Sequence, residues 1–154
     1  MLVPQQPADP VKITRLTLTN SGVETRRLSL FAYTRLVLGV TPAETARFIV
    51  TERDQTTGAV LARNRVNGEF GDGVVFAAAV MTDATPVAVH WTTDRTAFVG
   101  REGGLDEPAA LTRDAALDGR TGTGLDPCIA LQVIVDVPAG GRVECAFLAG
   151  RGDQ

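Results

Sequence analysis

Histidine, lysine, tryptophan and tyrosine each occur once in this chain of 154 residues, as His90, Lys12, Trp91 and Tyr33. With a single imidazole, any Ser–His–Asp or Cys–His relay would run through His90. No Gly-x-Ser-x-Gly element accompanies it, so His90 is expected as an ordinary strand histidine on an outer or half-buried face. A zinc site needs three or four His, Cys or carboxylate ligands. One histidine and two well-separated cysteines do not supply them, and neither a metal nor a cofactor is expected. Cys128 and Cys145 sit in apolar runs and are expected as buried free thiols, because free cysteine packs as a small hydrophobe. A disulfide would need an oxidising compartment. Fifteen cationic residues, Lys12 the only lysine among them, face eighteen acidic ones, for a net charge of −3. That balance lacks the basic face of a nucleic-acid binder, and the arginine bias is read as genome composition. No apolar run approaches the ~18 residues of a membrane helix, so direct membrane insertion is not expected. The start, MLVPQQPADP, carries neither a charged leader nor an apolar core and does not read as a signal peptide. Residues 1–10 are expected to be a Pro-rich tail, residues 11–154 one domain, and the compartment the cytoplasm.

Alternation is what the sequence has in quantity. The stretch Asn20–Gly39, NSGVETRRLSLFAYTRLVLG, opens on a turn and continues as a long period-two run. Leu28, Leu30 and Ala32 point one way, and Arg27, Ser29, Phe31 and Tyr33 the other. Lys12–Thr19 precedes it as a second strand, and the pair reads as a hairpin. Phe48–Asp54 and Ala59–Arg63 flank Gln55-Thr-Thr-Gly58 as another hairpin. Thr41-Pro42 with Glu44 is a plausible helix start, although a loop or extended segment is favoured there. Val74–Met81 is nearly continuous in apolar residues and suits a strand buried on both faces. Val87–Thr93 alternates again. Asp94–Gly104 is polar around Phe98 and Val99, and Leu105–Arg120 has helical bias. Ile129–Val137 is the cleanest strand, with Ile129, Leu131, Val133, Val135 and Val137 on one face. After PAGG, Arg142–Ala149 returns with Val143, Cys145 and Phe147 inward. Eight to ten short strands with little helix imply an all-β antiparallel sandwich or barrel.

Few constellations point to chemistry. Glu52 and Asp54 would lie roughly 7 Å apart on one strand face, within reach of inverting glycosidase geometry, but a solvated hairpin end beside Arg53 is the expected outcome. Gly122-Thr123-Gly124 leads into a strand, where a phosphate cradle needs a helix N-terminus. The RGD tripeptide at Arg151–Asp153 is too short to carry an argument. Trp91 and Tyr33 are the rings best suited to stack on a sugar.

Several strings taken in order carry a resemblance: LTLTNSGVETRRLSLFAYTRLVLG, TERDQTTGAVLARN, TDRTAFVGR followed by Gly104 and Leu105, and GTGLDPCIALQVIVDVPAGG ending in FLAGRGD. Together they resemble the β-sandwich module of glycoside hydrolase family 94, formerly glycosyltransferase family 36. Within it they are most similar to the cyclic β-1,2-glucan synthetases. The resemblance implies a supersandwich of galactose-mutarotase-like type and an (α/α)6 barrel elsewhere in the polypeptide that holds the catalytic and phosphate sites. This chain would then be a non-catalytic piece of a larger protein. Its partners would be that barrel, a glucan or oligosaccharide, and a second copy of the chain, with the parent associated with the inner membrane. An autonomous carbohydrate-binding module and a mutarotase-like enzyme are the alternatives. Arg95, Arg101 and Asp126, in positions matched by the family strings, would form a rim toward sugar or barrel, or else ion pairs that lock the loops. The long strand is expected at the centre of the sheet, with an interface-like outer face.

Overall fold

The computed structural model describes residues 10–68 and 71–153. Eight strands dominate them: β1 (Val11–Thr19), β2 (Arg26–Arg35), β3 (Val50–Arg53), β4 (Val60–Arg63), β5 (Gly73–Met81), β6 (Ala88–Asp94), β7 (Pro127–Val137) and β8 (Arg142–Asp153). The helical elements are single turns: α1 (Pro42–Thr45), a 3-10 turn at Ala46–Phe48, α2 (Arg95–Val99) and α3 (Ala109–Thr112). The strands form two antiparallel sheets, one of five in the order β1-β8-β5-β4-β3 and one of three in the order β2-β7-β6. This is the all-β sandwich that the alternation implies.

The inward faces follow the period-two pattern. Ile129, Leu131, Val133, Val135 and Val137 of β7 meet Val143, Cys145 and Phe147 of β8 in one buried cluster, joined by Val60, Ala62 and Ala77. Leu30 and Ala32 of β2, and Val89 and Trp91 of β6, pack against its margin. A second, smaller core lies on the other face of the three-stranded sheet. There α2 and α3 bring Phe98, Val99 and Ala110 onto Cys128 and Ala130, with Phe31 and Tyr33 beside them. The first half of β7 is therefore buried on both faces.

Four expectations need correction. β1 and β2 do not form a hairpin, since β1 pairs with β8 and β2 with β7, in different sheets. The segment between them is an arch from one layer to the other, and the turn from β7 to β8 crosses beside it. The two arches are stitched together: Asn20 N–H donates to Gly141 O at 2.9 Å and Gly140 N–H to Gly22 O at 3.2 Å. The Asn20 side chain, almost fully buried, donates to Glu24 O (2.8 Å) and Val137 O (3.0 Å) and accepts from Gly22 N–H (3.0 Å). A short polar turn between alternating strands has the same composition whether it closes a hairpin or an arch, and only these long-range bonds distinguish the two. Second, β2 is an edge strand; β7 takes the centre. Third, β5 is buried on one face only, and Val80 on its other face is 45% exposed. Fourth, Pro42–Phe48 is helical, not extended. Thr41 caps α1 by accepting from Glu44 N–H, with Pro42 in the first turn, where a missing N–H costs nothing.

The two flanks of the sandwich differ. On the β3/β6 flank the segment Gly119–Gly122 runs between the sheets as a strap. Thr51 N–H donates to Gly122 O (3.0 Å), Thr93 N–H to Arg120 O (2.9 Å) and Gly119 N–H to Trp91 O (2.7 Å). The β6–β7 register shifts between Thr92 and Asp94. This bulge frees the Thr93 N–H for the strap, while the Thr51 and Thr93 hydroxyls meet across the layers at 2.7 Å. On the opposite flank β1 and β2 are outermost in their sheets, with no ladder partner on their outer edges among the described residues.

Candidate functional site

Three of the five site residues expected from sequence converge at one corner, where β2 ends, β7 begins and α2 follows β6. Asp94 ends β6 and caps α2, one carboxylate oxygen accepting from Thr96 N–H at 3.0 Å and the other from Arg120 Nη1 at 2.8 Å. The cap fixes Arg95, whose N–H donates to Asp126 O at 2.7 Å and whose Nη1 lies 3.5 Å from Asp126 Oδ2. Phe98, one turn on, stacks on Tyr33 with ring centres 4.9 Å apart and planes 19° apart, and meets Phe31 edge-on at 6.2 Å. The Tyr33 hydroxyl is buried without a hydrogen bond of normal geometry, although the Arg95 guanidinium is near enough to act on it. Burial, followed by nearby Cys128, raises the Tyr33 pKa, and Arg95 and Arg35 offset part of the rise. Burial chiefly, with Asp94 and Asp126 adding, pushes the Cys128 thiol up to about 12. The corner opens into a shallow cavity of about 410 Å³ lined by Arg35, Leu36, Thr41, Pro42 and Asp126, among others.

The other two residues lie elsewhere. Arg101 is exposed just beyond α2. Trp91 faces the opposite side of its sheet and lies under Arg53, whose guanidinium carbon is 3.6 Å from the ring centroid. Burial lowers the Arg53 pKa, and the π-face takes the place of a carboxylate beside the cation. Sequence reasoning passed over Arg53. The signal was available, since Thr51 and Arg53 share the strand face that turns inward. Nor did it pick out Arg120 as the partner of Asp94.

The arrangement holds loops together, and the carboxylates of β3 and its turn are already engaged. Glu52 pairs with Arg63. Asp54 lies past the end of β3 and caps the following turn: it accepts from the Thr57 hydroxyl and from Thr56 and Thr57 N–H, both at 3.1 Å. These bonds, the hydroxyl's first, lower its pKa, the wrong direction for a general acid. His90 faces Gln132 in register and has no carboxylate within ion-pairing distance among the described residues. A mutarotase-like His–carboxylate pair is therefore not formed there. No group of three or more His, Cys, Asp or Glu suited to a metal occurs among the described residues.

Two stacked antiparallel sheets, closed by a strap and carrying an ion-paired corner, define a β-sandwich module. The model of the glycosyl hydrolase 94 supersandwich domain matches residues 1–154, and the chain belongs to that family. It is also similar to cyclic beta-(1,2)-glucan synthase NdvB of Rhizobium meliloti (strain 1021), with 31% identity over 145 residues. The match covers 94% of this chain and 5% of that protein.

Proposed function

We propose that the chain is a non-catalytic, carbohydrate-associated module of a larger enzyme of β-glucan metabolism, one that makes or phosphorolyses β-1,2-glucan, and that it supports an (α/α)6 catalytic barrel elsewhere in the polypeptide. The family match and the small share of the synthase that it covers support this reading. The structural observation that carries it is that both rings suited to sugar stacking are already engaged. Tyr33 is stacked on Phe98 and Trp91 lies under Arg53. Arg95 and Asp126, the polar groups at the same corner, are paired with each other. A sugar would have to displace these contacts, whereas a supporting module uses them to stay rigid.

Calorimetric titration of linear and cyclic β-1,2-glucan into the chain tests the reading, with no saturable heat expected. A saturating isotherm with shifts at Tyr33 or Trp91 would instead establish an autonomous carbohydrate-binding module. In the full-length protein, exchanging Arg95 and Asp126 for alanine should lower the yield of folded enzyme and leave the glucan KM unchanged. A raised KM with normal folding would place sugar at the corner.

A further inference from the structure

The outer face of the five-stranded layer is apolar, and alternation fixes which side chains it carries. Ala77, Ala79 and Met81 of β5 and Val143, Cys145 and Phe147 of β8 point into the core. Phe76, Ala78 and Val80, with Ala146, Leu148 and Gly150, therefore point out. The face stays open: Ile13 on β1, Val80 on β5 and Val50 on β3 are 57%, 45% and 42% exposed. Contiguous apolar patches of this kind mark interaction sites. The charged side chains stand at its margins and are answered there. Arg15 and Arg142 flank Glu144, at 3.3 and 3.7 Å, and Arg63 pairs with Glu52. In register across β5 and β8, large residues lie beside small ones: Phe76 beside Gly150, Leu148 beside Ala78 and Val80 beside Ala146. The Phe76 ring lies over Gly150, where an added Cβ would meet its Cζ at 2.9 Å.

We propose that a second copy of the chain covers this face, the two five-stranded sheets stacking about a two-fold axis that runs along the strands between β5 and β8. That axis sets Leu148 of one copy over Ala78 of the other and Val80 over Ala146, and it brings the two Phe76 rings together. Large residues thus meet small ones, as between the layers of a sandwich ~10 Å apart. Three features select this occupant. The pattern is self-complementary, which an isologous contact requires. The area suits it: with strands ~4.8 Å apart and ~3.3 Å per residue, the layer spans roughly 600 Å² in plan. Side-chain relief brings that near the ~800 Å² per partner of a standard interface. A single helix, ~10–12 Å across, would cover about half the breadth of five strands and leave the rest wet. Finally, stacking strands no buried charge without a partner, because each ion pair sits at the margin with its own counter-charge. The inference goes beyond the proposed supporting role and rests on neither the glucan nor the barrel.

The test is sedimentation equilibrium of the 154-residue chain from about 1 to 100 μM, with a concentration-dependent dimer expected. Ala78→Arg puts a charge into the hollow and should weaken the dimer at least about tenfold while keeping the parent's far-ultraviolet spectrum. Two cysteine variants read the axis independently, since the native thiols are buried. Phe76→Cys, beside the axis, should be joined to its counterpart by a short bismaleimide. Thr17→Cys, exposed on the same face but at its margin, should not. A monomer across the whole range, a dimer that Ala78→Arg leaves intact, or cross-linking of Phe76→Cys no faster than of Thr17→Cys would overturn the proposal. A monomer would leave the supporting role standing, and a glucan isotherm would count against that role and leave the dimer standing.

Discussion

Replacing Asn20 tests whether the crossed arches hold the two layers in register. Asn20→Ala removes three hydrogen bonds, to Glu24 O, Val137 O and Gly22 N–H, and leaves buried acceptors without their donor. Each neutral bond is worth about 1 kcal/mol net, and an orphaned buried carbonyl adds about 1–3 kcal/mol. Because the Ser21–Thr25 loop is solvated and can recover part of the loss, the expected cost is about 2–3 kcal/mol. For a chain of this size that corresponds to a fall in Tm of about 5–10 °C. Asn20→Asp sharpens the test. The carboxylate can still accept from Gly22 N–H, but its second oxygen would face the Glu24 and Val137 carbonyls. Burial and these oxygens raise its folded pKa above the unfolded value of about 3.9. A carboxyl with a raised folded pKa contributes most when protonated, below the unfolded pKa, and that contribution is lost as pH rises through the folded pKa. Asn20→Asp should therefore approach wild type near pH 4 and fall behind Asn20→Ala at pH 7. Urea unfolding followed by Trp91 emission reads both. A cost for Asn20→Ala below about 0.5 kcal/mol, the ordinary range of a surface substitution, or an Asn20→Asp penalty that does not change with pH, would refute the role assigned to the arch.

Other outcomes follow from the remaining contacts. Arg53→Met keeps bulk over Trp91 and removes an unpaired buried donor, so it should cost less than Arg53→Ala by about 1–2 kcal/mol and shift Trp91 emission, read in the same unfolding curves. Cys128 and Cys145, both free and buried, with their pKa values raised by burial, should be unreactive to a thiol reagent at pH 8 in the native protein and both react in urea. Prompt labelling of either in buffer would contradict that. The Asp136 pKa is lowered chiefly by its bond from Arg27, so its contribution is present above the unfolded carboxylate pKa and lost as pH falls through the folded one. Asp136→Asn should flatten the acid limb of the stability profile below about pH 4, measured by denaturant midpoint. Thr51→Val removes the hydroxyl bonds to Thr93 and Gly122 and keeps the backbone bond to Gly122 O, with an expected loss of about 1–2 kcal/mol and faster amide exchange at Gly122.

Individual strands were legible in the sequence, and their assembly into layers was not. The inward sets of β7 and β8 could be read residue by residue, because alternation depends only on which face is dry. The pairing of Lys12–Thr19 could not, because the NSGVET turn has the polar, glycine-containing composition of a hairpin loop. Its role as an arch depends on Asn20 reaching Val137, 117 residues away. The single-turn helix α2 carries too little periodicity to register, although its cap, Asp94 two residues before Thr96, is a local signal. At the site, the family strings brought Arg95 and Asp126 forward and the structure pairs them. The likeness of Trp91 to a sugar platform did not anticipate Arg53, because a cation that stacks across layers leaves no spacing rule in the chain. Arg101 lies in the same string as Arg95 but past the helix end, which separates the two in space.

The place of β8 has a consequence for how the molecule is made. β8 lies between β1 and β5, pairing Val11 with Gly150 on one side and Gly73 with Asp153 on the other. The five-stranded layer therefore stays divided until the last of the described strands leaves the ribosome. Until then β1 has no partner among the described strands, and within this layer only the β3–β4–β5 meander can close from local contacts. Pairings of such long sequence separation form slowly, and the waiting edges are exposed to aggregation meanwhile. The cations along β1 and β2 would keep nascent copies apart during that interval, and pulse-labelled refolding should find β3, β4 and β5 protected before β1.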